Sequence, residues 1–108
     1  MRIRKGDTVV VIRGRYRHKV GKVLKVYPDK DRVVIEGVNF IKVHERKTQK
    51  TPQGGILEKE GTIHVSNVML YDPKLGVPSR IRMRTLDDGS RVREAVQSGE
   101  ILPDRQKS

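Results

Sequence analysis

Between Gly6 and Val26 the chain reads GDTVVVIRGRYRHKVGKVLKV, two β-branched runs on either side of a stretch rich in Arg, Lys and His. Branched side chains lose rotamer freedom in a helix and pack well on a pleated surface, so Val9–Ile12 and Val20–Val26 predict strands. A short connection between two such runs predicts a hairpin end, which gathers Arg13, Arg15, Tyr16, Arg17, His18 and Lys19 at one tip. Gly14 permits turn conformations, and Gly21 sits where the loop re-enters the second strand. Such a tip suits a phosphate-bearing ligand, the alternative being an ordinary solvated turn. The bias extends along the whole chain: 15 Val and 8 Ile stand against 6 Leu and a single Ala. No convincing amphipathic helix is present, so the expected class is all-β.

Further strands follow from the turn signals. A strand from Val20 to Tyr27 must stop at Pro28, which cannot donate to a ladder. The residues Pro28–Asp31 read as a turn, Arg32–Glu36 as a third strand ended or bulged at Gly37, and Asn39–Glu45 as a fourth. Residues 46 to 55, RKTQKTPQGG, contain no apolar side chain and predict a long basic loop. Ile56–Glu60 is expected to return as a strand that closes the small sheet into a barrel. Beyond it, Ser66 and Asn67 interrupt two apolar patches, predicting a tight or helical turn between short strands. Arg80–Thr85 and Arg91–Val96 flank Asp88-Gly89, a favoured hairpin pair. At 108 residues the organisation expected is one small barrel over 1–62 and a strand-rich extension over 63–108.

Charge narrows the class of partner. The formal charge is +11, and residues 1–50 hold 15 Lys or Arg against 5 Asp or Glu, whereas residues 51–108 hold 9 against 8. A positive field of that asymmetry concentrates polyanions on the first half, with nucleic acid the leading partner and an anionic membrane surface the lesser one. The chain has no cysteine, and His18, His44 and His64 are too widely spaced to make a metal site. Neither a nucleophile elbow nor a Walker loop is present, so enzymatic activity, a cofactor and a small-molecule substrate are not expected. The longest apolar runs, Val9–Ile12 and Val68–Tyr71, are four residues, so neither a signal peptide nor a membrane span is expected, and the chain should be cytosolic.

The primary phosphate-binding candidates are Arg2, Arg4, Lys5, Arg13, Arg15, Arg17, Lys19 and Lys22, with Gly6 at the turn into the first strand. Tyr16 could stack on a base or fold back onto the sheet; His18 could bond a phosphate or face solvent. Phe40, Tyr27 and Tyr71 read as core or rim residues rather than base platforms, and Lys25, Lys30 and Arg32, among acidic neighbours, as solvated charges. A second candidate surface comprises Lys42, Arg46, Lys47 and Lys50, where Gly54 and Gly55 allow close approach. A third comprises Arg80, Arg82, Arg84, Arg91 and Arg93, with intrachain pairing to Glu94, Asp87 or Asp88 the alternative.

Lys5–Val26 followed by VIEGVN (34–39) resembles the KOW motif of the bacterial large-subunit ribosomal protein numbered twenty-four. Pro52-Gln53-Gly54-Gly55, IHVSNVM (63–69) and the Arg-containing hairpin at 80–93 match that family in order, so the likeness covers nearly the whole chain. A KOW motif alone also occurs in transcription elongation factors, where such a module would bind nascent RNA or polymerase. The resemblance implies an SH3-like β-barrel with a C-terminal hairpin extension. It implies binding to large-subunit ribosomal RNA early in assembly, in the cytoplasm, beside other ribosomal proteins near the exit of the peptide tunnel. No homo-oligomer is expected. The chain departs from the family pattern at Arg13, at Arg17-His18 where Lys-Gly is usual, and at Gly61 where alanine is more usual. Replacing a loop glycine by His18 is expected to strain or reshape the turn, although histidine tolerates left-handed geometry better than most residues.

Overall fold

The computed structural model describes residues 1–45 and 55–103, and for 42–45 and 55–58 the backbone alone. It is all-β, apart from two single turns of 3₁₀ helix. Six strands form one curled antiparallel sheet: β1 (Thr8–Val11), β2 (Val20–Tyr27), β3 (Arg32–Ile35), β6 (Thr62–His64), β7 (Val68–Tyr71) and β8 (Pro78–Ser79). Their order across the sheet is β6-β3-β2-β1-β7-β8. Two hairpins complete the fold of the described residues, β4 (Phe40–Glu45) with β5 (Gly55–Glu60), and β9 (Ile81–Thr85) with β10 (Arg91–Ala95).

The sheet's inner face is built from alternating apolar positions. Val9 and Val11 of β1, Val33 and Ile35 of β3, and Val68 and Leu70 of β7 are buried in one cluster. In β2 the buried pair is Val23 and Val26, three residues apart, which a period of two cannot place on one face. A bulge resolves this: Val23 opposes Ile35 and Lys25 opposes Val34, so Leu24 is the extra residue. The basic side of β2 thus does not alternate strictly, and Val20 is exposed rather than part of the core.

The expected third strand ends at Ile35, one residue early, and the expected turn at Pro28–Asp31 is a 3₁₀ turn, Pro28–Lys30. A second 3₁₀ turn, Val65–Asn67, separates β6 from β7, as the Ser66-Asn67 interruption predicts. The strand at 55–60 exists, but it does not close the sheet: β5 pairs with β4 alone, from Phe40↔Glu60 to Glu45↔Gly55. The reason lies at the root of this hairpin. Asn39 sits at φ 60, turning the chain out of the sheet, and its carbonyl accepts from Gly61 N–H at 2.7 Å where the chain returns. Outgoing and returning strands therefore find each other first.

Residues 62 and 63 lie inside β6, and β6, β7 and β8 all belong to the main sheet. The C-terminal hairpin packs on the same core, for Ile81, Ala95 and Leu102 join Ile3 in the buried cluster. Beside them Arg93, its side chain 3 % exposed, forks onto Asp7: Nη1 donates to Oδ2 at 2.6 Å and Nη2 to Oδ1 at 3.0 Å. The same guanidinium donates to the carbonyls of Arg2 and Pro103, so one buried side chain joins both ends of the described chain to the sheet.

Candidate nucleic-acid interface

The β1–β2 loop is held open by its own backbone. His18 N–H donates to the Val11 carbonyl, Val11 N–H to that of Lys19 and Arg17 N–H to that of Gly14, while Ile12 N–H reaches the Asn67 carbonyl of the second 3₁₀ turn. With its base pinned at both sides, the loop turns Arg13, Arg15, Arg17, His18 and Lys19 into solvent. Gly14 lies at φ 89 and His18 at φ 74, so the position where a glycine is usual does require the left-handed region, and a histidine occupies it. Gly21 serves differently: its φ is not left-handed, but a Cβ there would come within 2.7 Å of the Glu36 carbonyl oxygen and of Ile35. It is a close-approach glycine, not a flexible one.

Tyr16 folds back. It is half-buried against the core cluster, and the Arg15 guanidinium lies 5.8 Å from its ring centroid. Of the other primary candidates, Arg2, Lys5 and Lys22 are exposed and Arg4 is half-buried. Arg2 also donates through Nη1 to the Ile81 carbonyl at 2.7 Å, which restrains it along the C-terminal hairpin. Gly6 and Gly37 have φ of 92 and 76 and serve turns.

The second expected surface falls largely outside the described residues: Arg46, Lys47, Lys50 and Gly54 lie beyond them, as does the side chain of Lys42, and Gly55 begins β5. In the third, Arg80 and Arg91 are exposed, whereas Arg82 and Arg84 both pair with the buried carboxylate of Glu94, at 3.1 and 3.2 Å. Arg93 is corrected outright. A guanidinium buried on Asp7 and two carbonyls meets no external partner, because the expected Arg-rich face is one side of a hairpin whose other side is core.

Between the basic loop and the root of the β4–β5 hairpin lies an open groove of about 500 Å³. Arg13, Arg15 and Tyr16 of the loop line it together with Arg32, Asn39, Phe40 and His64. Phe40, the single phenylalanine, is 50 % exposed. Arg32 is half-buried and ordered, Nε donating to Thr62 Oγ1 at 2.7 Å and Nη2 to the Thr62 carbonyl at 3.1 Å. Sequence reasoning sets Phe40 and Arg32 aside. Its one available signal is Asn39, a residue that tolerates left-handed geometry and so marks the chain leaving the sheet just before Phe40. Exposed cations, an exposed ring and side-chain hydrogen-bonding groups along one groove can receive phosphate, base and ribose together.

Among the described residues no group of His, Asp and Glu could hold a metal ion, and no helix is long and apolar enough to cross a membrane.

Comparison with known proteins agrees with this architecture. Residues 5–36 match the KOW motif, and residues 38–102 match the family described as large ribosomal subunit protein uL24, C-terminal domain. Proteins named large ribosomal subunit protein uL24 are similar over 94 % of this chain. The one from Brevibacillus brevis is 52 % identical with 98 % of its length covered, and that from Staphylococcus epidermidis 56 % with 96 % covered. The one from Rickettsia prowazekii is 48 % identical, with 89 % covered. Half the residues identical across nearly the full length of such relatives, on a KOW-bearing β sheet, leaves one conclusion: the chain belongs to the large ribosomal subunit protein uL24 family.

Proposed function

We propose that this protein is a structural, non-enzymatic constituent of the bacterial large ribosomal subunit, in the cytoplasm, and that it binds large-subunit ribosomal RNA through the β1–β2 loop. The observation that carries the reading is the loop itself, where Arg13, Arg15, Arg17 and Lys19 are all exposed on a backbone pinned to β1 and to the second 3₁₀ turn. Cations carried on a held backbone bind a folded polyanion without the cost of ordering the loop, and they read backbone shape more than sequence. Lys5, Lys22 and Arg80 are exposed as well and add to the positive surface of the molecule. Association early in subunit assembly and a place near the exit of the peptide tunnel, beside neighbouring ribosomal proteins, follow from the family likeness and complete the proposal.

Replacing Arg15, Arg17 and Lys19 together by Ala tests it. Every phosphate that is no longer neutralised lowers the slope of log affinity against log salt by roughly 0.7–0.9. The triple variant is expected to bind large-subunit RNA more weakly, with a slope shallower by about 2. Unchanged affinity and slope in a filter-binding titration would overturn the assignment. Sedimentation of tagged protein from cell lysate checks the assembly: co-migration with the large subunit is expected, and co-migration with RNA polymerase would favour a transcription role instead.

A further inference from the structure

The groove beside the basic loop has chemistry that phosphate binding does not use, and from it we infer that it holds one unpaired RNA base stacked on Phe40. This rests on the RNA-binding reading above and deepens it by naming what the site takes.

Phe40 is the exposed ring in the groove, and it is not there by slack geometry. Asn39 immediately before it is locked at φ 60, its Nδ2 donating to the Thr62 carbonyl at 3.1 Å and its own carbonyl accepting from Gly61 N–H at 2.7 Å. The residue that carries the ring thus leaves a clamped root. Ile41, the next residue of the strand, also lines the groove and is 48 % exposed. Tyr16 of the groove cannot serve in Phe40's place, since its ring packs on the core and under the Arg15 guanidinium.

A duplex keeps its bases stacked inside and offers this groove only phosphate and ribose, from which an apolar ring gains nothing. An unpaired base offers a π-face to Phe40 while its own phosphate meets Arg13 and Arg15. His64, which also lines the groove, supplies an edge contact. Its Nδ1 accepts from the Ser66 backbone N–H at 3.2 Å and lies 2.8 Å from Ser66 Oγ. A backbone N–H can only donate, so in the neutral ring the proton sits on Nε2. The histidine therefore presents a donor, suited to a carbonyl or ring nitrogen on a base edge.

The test uses the full chain with two labelled probes, a single-stranded hexa-adenylate and a blunt-ended RNA duplex without unpaired bases, followed by fluorescence anisotropy. Phe40→Ala and Phe40→Leu are expected to weaken hexa-adenylate binding about tenfold. Phe40→Tyr should bind as the parent does, and all three should leave duplex affinity and both salt slopes unchanged. As a second readout, the adenine protons should shift upfield in the NMR spectrum on binding the parent protein and the Tyr variant, and not on binding the Leu variant. Equal loss on both RNAs would overturn the inference. So would no loss on either, the result expected if Phe40 instead meets a protein neighbour. The Arg15, Arg17 and Lys19 triple variant separates the two levels. If it weakens both probes while Phe40→Ala weakens neither, RNA binding stands and the stacking site falls. If the triple variant weakens neither probe nor large-subunit RNA, the underlying reading falls.

Discussion

A histidine held in the left-handed region costs free energy that a glycine would not. At His18, φ 74, the strain for a residue with a Cβ is about 1–2 kcal/mol, against roughly 0.5–1 kcal/mol for the extra unfolded-state freedom of glycine. His18→Gly is therefore expected to raise stability by about 0.5 kcal/mol, read as a higher urea midpoint with an unchanged m-value; a lowered midpoint would show that the ring makes a compensating contact. Asp72 gives a residue-scale prediction with a pH signature. It is buried, and burial raises its carboxyl, but hydrogen bonds from Ser98 and from the backbone N–H of Leu75 and Lys74 outweigh this and hold it below its ordinary value. A carboxyl depressed in the folded state contributes stability above its unfolded pKa, near 4, and loses it as pH falls through the folded value. The stability gap between parent and Asp72→Asn should thus narrow as the pH falls below about 5. A gap that stays constant or widens on acidification would contradict the assignment.

Elements in this protein are fixed by backbone approach as much as by apolar pattern. At the join of the basic loop and β2, Gly21 lies against the end of β3 so closely that a Cβ would meet the Glu36 carbonyl and Ile35 at 2.7 Å. The Glu36 side of that contact is backbone and cannot swing away, and Glu36 N–H is itself bonded to the Lys22 carbonyl at 2.9 Å. Gly21→Ala should cost about 1–3 kcal/mol by forcing β2 and β3 apart, detectable as a lowered thermal midpoint; a neutral result would mean that the sheet relaxes there freely. The presence of Gly21 is plain in the sequence, but its role is not, since close approach depends on which strand lies opposite. The same limit governs the rest. The runs Val9–Val11 and Val33–Ile35 announce their strands because composition, turn signals and burial coincide there. The bulge at Leu24 stays hidden because only a known ladder partner reveals an extra residue. The β4–β5 hairpin passes for barrel closure in the sequence because two strands of suitable composition do not say which neighbour each will pair with. Phe40 reads as core or rim for a related reason: alternation assigns it a face but not what covers that face. The loop cations are legible because charge needs no packing to be seen.

Over the whole molecule, the decisive contact is one that no local pattern encodes. Asp7 and Arg93 are 86 residues apart in sequence, yet each side chain is only 3 % exposed and they meet in a two-point fork. Arg93 also bonds the carbonyls of Arg2 and Pro103, so the N-terminal lead, the start of β1, the C-terminal hairpin and the segment after it share one buried node. Desolvating two charges is expensive, and the pair need not stabilise the fold more than apolar residues of the same shape would. Removing one partner is a different matter, because the buried partner then loses the two-point contact that offsets its desolvation. Arg93→Ala is expected to cost about 3–5 kcal/mol, because the buried Asp7 carboxylate loses both charge-assisted hydrogen bonds from that guanidinium. An Asp7→Leu/Arg93→Met double variant should be more stable than Arg93→Ala alone, since neither charge is then left behind. The node also predicts how the molecule unfolds. Ile81, Ala95 and Leu102 share the core cluster with Val9, Val11 and Val33, so the hairpin and the curled sheet have no separate cores to lose in turn. Fluorescence of Tyr16, Tyr27 and Tyr71, which reports the sheet, and amide exchange at Arg84 and Val92, which face each other in the hairpin ladder, should then give one coincident urea transition for the parent protein. Arg93→Ala should shift both probes together. If the hairpin amides exchanged through a separate transition at lower urea, the C-terminal hairpin would be an independently melting unit, and the buried pair would be a local clasp rather than the node that makes the molecule fold as one.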